Sequence, residues 1–134
     1  MGEHLKLEGE WVAISQTNVD EFLKKLGVGF MGRKAAQNIT PKQTISFEGD
    51  KMKVINHVSG KEKFVNLDGS EVSDDISGKT FVATAKVDGD GSITVSGKLG
   101  DMDMVICRKM NDAGQMVLTS TLDGVECVRI FNRK

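Results

Sequence analysis

From about residue 42 to the C-terminus, short apolar segments alternate with turn signals at intervals of about ten residues. The turns are carried by Glu48-Gly49-Asp50, Ser59-Gly60-Lys61, Asp68-Gly69-Ser70, Ser77-Gly78-Lys79, Asp88-Gly89-Asp90-Gly91, Leu99-Gly100-Asp101, Asp112-Ala113-Gly114 and Asp123-Gly124. Asp-Gly and related pairs supply the positive φ that tight hairpins need. The segments between them are rich in Val, Ile, Thr, Phe and Met, which favours strands. This pattern predicts strands near 42–47, 52–57, 62–67, 71–76, 80–87, 92–98, 103–110, 115–121 and 125–132. Turns this short leave no room for crossover helices, so the sheet is antiparallel. A meander of this kind closes into a barrel or stacks as a sandwich.

The first third of the chain reads differently. Trp11 to Ser15 predicts a first strand. Asn18 followed by Glu21 has the form of a capping box, and Val19, Phe22, Leu23 and Leu26 follow at helical spacing up to a stop at Gly27. A second short helix is predicted over Phe30 to Gln37, ended by Ile39-Thr40-Pro41. The expected order is strand, two short helices and nine strands, in one domain spanning 1–134.

Side chains alternate between the two faces of a strand. In segment 102–110 one face is Met102, Met104, Ile106, Arg108 and Met110. In segment 125–133 one face is Val125, Cys127, Arg129, Phe131 and Arg133. Arg108 and Arg129 each stand between apolar neighbours, with no acidic residue on either strand face. A buried guanidinium costs several kcal/mol unless an anion or acceptors meet it. The missing anion could be a ligand, and a carboxylate fits the planar guanidinium fork. A single such arginine near a strand end would be read as reaching water along its stem.

Composition removes several classes of function. The chain has 134 residues, with 18 Lys plus Arg against 19 Asp plus Glu, a net charge of -1. That balance argues against nucleic acid as a partner. No apolar run reaches membrane-span length, and Met1 to Lys6 contains no apolar signal core, so the cytosol is expected. Cys107 and Cys127 are then expected to be free thiols, and no metal or cofactor is expected. Gly78-Lys79-Thr80 lacks the earlier glycine of a phosphate loop (position 73 is Ser73), and Lys86 stands where a calcium loop around Asp88 and Asp90 needs its first ligand. His4 and His57 belong to no nucleophile motif, so no catalytic residue is assigned. Lys24, Lys25, Arg33 and Lys34 make the helical region basic, either as a solvated face or as a docking face for an anionic membrane.

Gly9-Glu10-Trp11, the run from Asp20 to Phe30, Arg33-Lys34 and the closing Cys127-Val128-Arg129-Ile130-Phe131 resemble the intracellular lipid-binding proteins, the fatty-acid-binding protein family. The resemblance covers essentially the whole chain. It implies a mostly β fold: a ten-stranded antiparallel up-and-down β-barrel capped by a helix-turn-helix, with an internal cavity. It implies that Arg108 and Arg129 hold a ligand carboxylate, with Phe131 where many members have a tyrosine. Phe22, Leu23 and Val28 would then line the cavity or its portal. The sequence departs from the family at Val19, where an aromatic is usual, and in the turn near Gly60, where the portal phenylalanine has no counterpart. Two arginines favour an acid over the alcohol that glutamine-bearing retinol-binding relatives take. The resulting expectation is a monomeric, non-enzymatic carrier of a long-chain fatty acid or similar lipid carboxylate. It would act in the cytoplasm, with the nucleus also open to it, and touch anionic membranes transiently. The alternatives are a carrier of retinoids or other hydrophobic ligands and a protein-interaction barrel.

Overall fold

The computed structural model describes residues 2–134, so Met1 of the N-terminal run lies outside the described residues. The strands are β1 (Gly9–Thr17), β2 (Lys42–Glu48), β3 (Lys51–Asn56), β4 (Lys61–Asn66), β5 (Val72–Ile76), β6 (Lys79–Val87), β7 (Ile93–Leu99), β8 (Met102–Met110), β9 (Met116–Leu122) and β10 (Val125–Arg133). Two helices, α1 (Val19–Leu26) and α2 (Phe30–Ala36), lie between β1 and β2. The strands form one antiparallel sheet in the order β4-β3-β2-β1-β10-β9-β8-β7-β6-β5. Pairing of β1 with β10 joins the two ends of the chain and makes the meander a barrel. One seam stays unzipped, because β4 and β5 end the order as neighbours without a ladder between them.

Local chemistry accounts for these elements. The hairpins at Ser77-Gly78 and Asp123-Gly124 carry positive φ at both residues, 50° and 78°, then 49° and 89°. That pair of angles matches the twist of the flanking strands. A register shift between Ala13 and Ser15 leaves Ile14 as the extra residue of a bulge in β1. The bulge bends β1, which pairs with β2 over Gly9 to Val12 and with β10 as far as Thr17.

Helix α1 stops where expected. Gly27 has φ 97°, its N–H donates to Lys24 O, and the Val28 N–H donates to Leu23 O at 2.9 Å. Those are the two bonds of a Schellman motif, and Lys79 Nζ adds a third donor to Leu26 O at 3.0 Å. The capping box at the other end does not form. Asn18 takes φ 62° with no side-chain cap, and its Nδ2 donates instead to Glu126 O on β10 at 2.8 Å. The asparagine ties α1 to the barrel at the expense of capping it.

Two apolar clusters fill the ends of the barrel. One lies under the helices and joins Phe22 and Leu26 to Phe81, Leu99, Met104, Leu122 and Cys127. The other closes the base with Trp11, Ile45, Met52, Ile93, Met116, Leu118 and Phe131. A short 3-10 helix at Glu3–Leu7, absent from the sequence reading, seals that base with Leu7. Trp11 Nε1 donates to Leu7 O at 2.8 Å, while Arg133 covers the indole at 4.3 Å and donates to Glu8 O at 2.7 Å.

Candidate functional site

Strand alternation left open which face of β8 and β10 points inward. Burial of Met104 and Arg108 on β8, and of Cys127 and Phe131 on β10, puts the arginine-bearing faces inside. Both thiols are free; Cys127 is buried and Cys107 lies on the opposite, outer face. Arg108 and Arg129 are each in register with Leu118 of the strand between them. They therefore stand two strand spacings apart on one face, about 10 Å between Cα atoms.

Arg108 is 9% exposed. Its Nη2 donates to Gln43 Oε1 at 3.3 Å, and its Nε is buried with no hydrogen-bond partner. Burial pushes its pKa down to about 10, since removing water disfavours the charged form. Arg129 is half-buried, and its Nε donates to Gln16 Oε1 at 2.9 Å. Among the described residues, neither arginine has an acidic partner.

Two neighbouring spaces receive these side chains. A cavity of about 390 Å³ is lined by Arg108, Gln43 and Asn56 and by apolar residues including Phe81, Val95 and Ile106. Its volume lies within the usual range for small-molecule sites, about 300–1,000 Å³. A second space of about 160 Å³ holds Arg129 with Gln16, Ile39 and Val58, and shares Gln43 and Asn56 with the first. Val58 is one of the apolar residues at this mouth, where the sequence near Gly60 offered no aromatic. A larger groove of about 490 Å³ runs outside, between β1 and the helices, but its walls carry Asp20 and Glu21 and no cation. It is therefore a poor receptor for a carboxylate.

The remaining sequence-selected residues lie elsewhere. Phe131 is fully buried in the basal cluster. Phe22 is buried under α1, with Leu23 and Val28 half-buried against the same cluster, so the three form the seam between helices and barrel. Lys24 and Lys34 are exposed, and Lys25 reaches Asp123 at 3.7 Å. Arg33 is committed inward, donating to Asp20 at 3.0 Å and to Val28 O at 2.8 Å. Exposed Phe30 and Met31 stand beside these cations. Among the described residues, no helix is long and apolar enough to cross a membrane.

Sequence reasoning missed Gln43, Gln16 and a pair on the cavity wall, Lys63 and Asp74, 2.9 Å apart. Gln43 gives the same signal as the arginines, a polar residue on a face with Ile45 and Phe47. Gln16 does not, because the bulge at Ile14 reverses the alternation ahead of it.

A ten-stranded barrel with a helical cap and a cavity holding unpaired cations defines a class of binding proteins for apolar acids. The chain belongs to the lipocalin / cytosolic fatty-acid binding protein family, whose model matches residues 8–134. It is 34% identical over 130 residues to a fatty acid-binding protein of Clonorchis sinensis, covering 93% of this chain and 96% of that one. It is 30% identical over 129 residues to sodium/calcium exchanger regulatory protein 1 of Doryteuthis pealeii, covering 95% and 96%. Among solved structures, the REP1-NXSQ fatty acid transporter superposes with a TM-score of 0.84 at 29% identity, covering 97% of each chain.

Proposed function

We propose that this protein is a non-enzymatic carrier of a long-chain fatty acid or a similar lipid carboxylate, held in the barrel with its head group at Arg108 and Arg129. One observation carries the reading: Arg108 is buried, its Nε has no partner, and no acid neutralises it. A carboxylate supplies both the missing charge and the missing acceptor. An acyl chain would occupy the apolar wall formed by Val54, Val65, Ile76, Phe81, Val95 and Ile106. Burying its methylenes contributes about 0.8 kcal/mol each, so the chain supplies most of the affinity and the arginines most of the selectivity.

The test is titration of delipidated protein with a fluorescent fatty acid. Saturable one-site binding is expected, and its absence would overturn the proposal. Arg108→Gln with Arg129→Gln should weaken acids by at least about tenfold more than the matching alcohols, the loss of one charge-assisted contact. Equal loss for both ligands would remove the head-group assignment.

The carrier is proposed to work as a cytoplasmic monomer, with the nucleus also accessible, and to meet anionic membranes through Lys24, Lys25 and Lys34 beside exposed Phe30 and Met31. Arg33 is spent on Asp20 and Val28 and contributes less. Neutralising the three lysines should slow transfer of fatty acid to anionic vesicles and leave neutral vesicles unaffected, since each cation near such a surface contributes ~1 kcal/mol. Transfer rates indifferent to the lysines would refute the membrane contact.

A further inference from the structure

Neither arginine is held by an acid. Each is held by a glutamine, on a different strand, in a barrel that carries seven ion pairs elsewhere among its described residues. Gln43 on β2 is 8% exposed and receives Arg108 Nη2. Gln16 on β1 receives Arg129 Nε. Gln43 also lines both spaces, so it stands between the two cations. A carboxylate in either place would fix the arginine as firmly, but it would also neutralise it. An amide oxygen accepts the same N–H and adds no charge.

We propose that Gln43 and Gln16 are positioning residues that set the charge selectivity of the cavity, orienting each guanidinium while leaving its positive charge for the head group of a lipid acid. The inference rests on the carrier reading and deepens it. The uncompensated cation is costly in the empty barrel, and burial already pulls Arg108 towards its neutral form. The cost is recovered when a carboxylate enters. Gln43 has the larger part, because Arg108 is the deeper cation and water screens Arg129 more effectively.

The test compares oleate with oleyl alcohol on delipidated protein, for the wild type and for Gln43→Glu, Gln43→Leu and Gln16→Glu. Wild-type protein should prefer oleate. Gln43→Glu should reduce the oleate-to-alcohol affinity ratio by about tenfold or more, because the introduced carboxylate occupies the place of the ligand's. Gln43→Leu removes the acceptor but not the charge, so a preference for oleate should remain. Gln16→Glu should reduce the ratio less than Gln43→Glu. Equal losses in the Glu and Leu variants at position 43 would mean a purely structural role and overturn the inference. So would an unchanged ratio in Gln43→Glu. If that variant fails to fold by far-ultraviolet circular dichroism, an unchanged ratio in Gln16→Glu would overturn it. Failure of wild-type protein to bind oleate would strike the carrier reading itself, a separate result.

Discussion

Arg108 is where function and stability pull apart. Its guanidinium is buried, its Nε lacks a partner, and burial pushes its pKa down to about 10. For a base, a folded-state pKa below the unfolded one means that the protonated form is disfavoured on folding. At pH 7 the empty barrel therefore carries this cost in full, and it eases only as pH rises towards and beyond 10. Replacing Arg108 by Met removes the charge and keeps an unbranched side chain in the cavity. The delipidated Arg108→Met variant should be more stable than wild type at pH 7, by about 1–3 kcal/mol in urea unfolding, in line with other buried charges replaced by apolar groups. A fall in stability would mean that Gln43 and the cavity already compensate the cation. The two arginines were legible in the sequence because charge on an apolar strand face is conspicuous. Their partners were not, since a hydrogen bond between β8 and β2 links residues 65 apart in the chain.

At the level of elements, hairpin chemistry made the strands readable, and helical spacing with a glycine stop made α1 readable. What could not be read is what depends on closure. The 3-10 helix owes its place to the base of the barrel, through Trp11 and Arg133. The capping box was misread because Asn18 takes a left-handed φ of 62° in place of the extended conformation a cap needs, and turns its Nδ2 to Glu126 O on β10. The open seam between β4 and β5 has no sequence mark at all. There, Lys63 and Asp74 face inward, in register with buried Val54 and Phe81, and meet across the gap at 2.9 Å. Burial pushes the Asp74 carboxyl up, but Lys63 and the Asp75 N–H outweigh it and hold its pKa below the ordinary value. A depressed carboxylate stabilises the fold above its unfolded pKa, ~3.9, and that contribution is lost as pH falls through the folded value. Asp74→Asn should therefore be less stable than wild type at pH 7, and the difference should close below about pH 4. Thermal melts from pH 7 to pH 3 check this; a difference constant down to pH 3 would show that the ion pair does not hold the seam.

The whole molecule is a barrel with sealed ends and a partly polar middle, in which side chains that could complete a core instead leave room. Apolar clusters at the base and under the helices do the packing, and the space between them carries the cations. An architecture of this kind gains stability from its ligand. Binding to the native state alone adds RT ln(1 + [L]/Kd), about 2.7 kcal/mol at a free ligand concentration of 100 Kd. A saturating fatty acid should thus raise the melting temperature of delipidated protein by several degrees, and the rise should continue logarithmically with added ligand. The double variant Arg108→Gln with Arg129→Gln should need more acid for the same rise, while its response to the matching alcohol should resemble that of wild type. The acid-specific part of the shift then measures the head-group contribution, and the shared part measures the acyl chain. A melting temperature that ignores fatty acid in wild-type protein would mean that the cavity is not filled by it, whatever the arginines do.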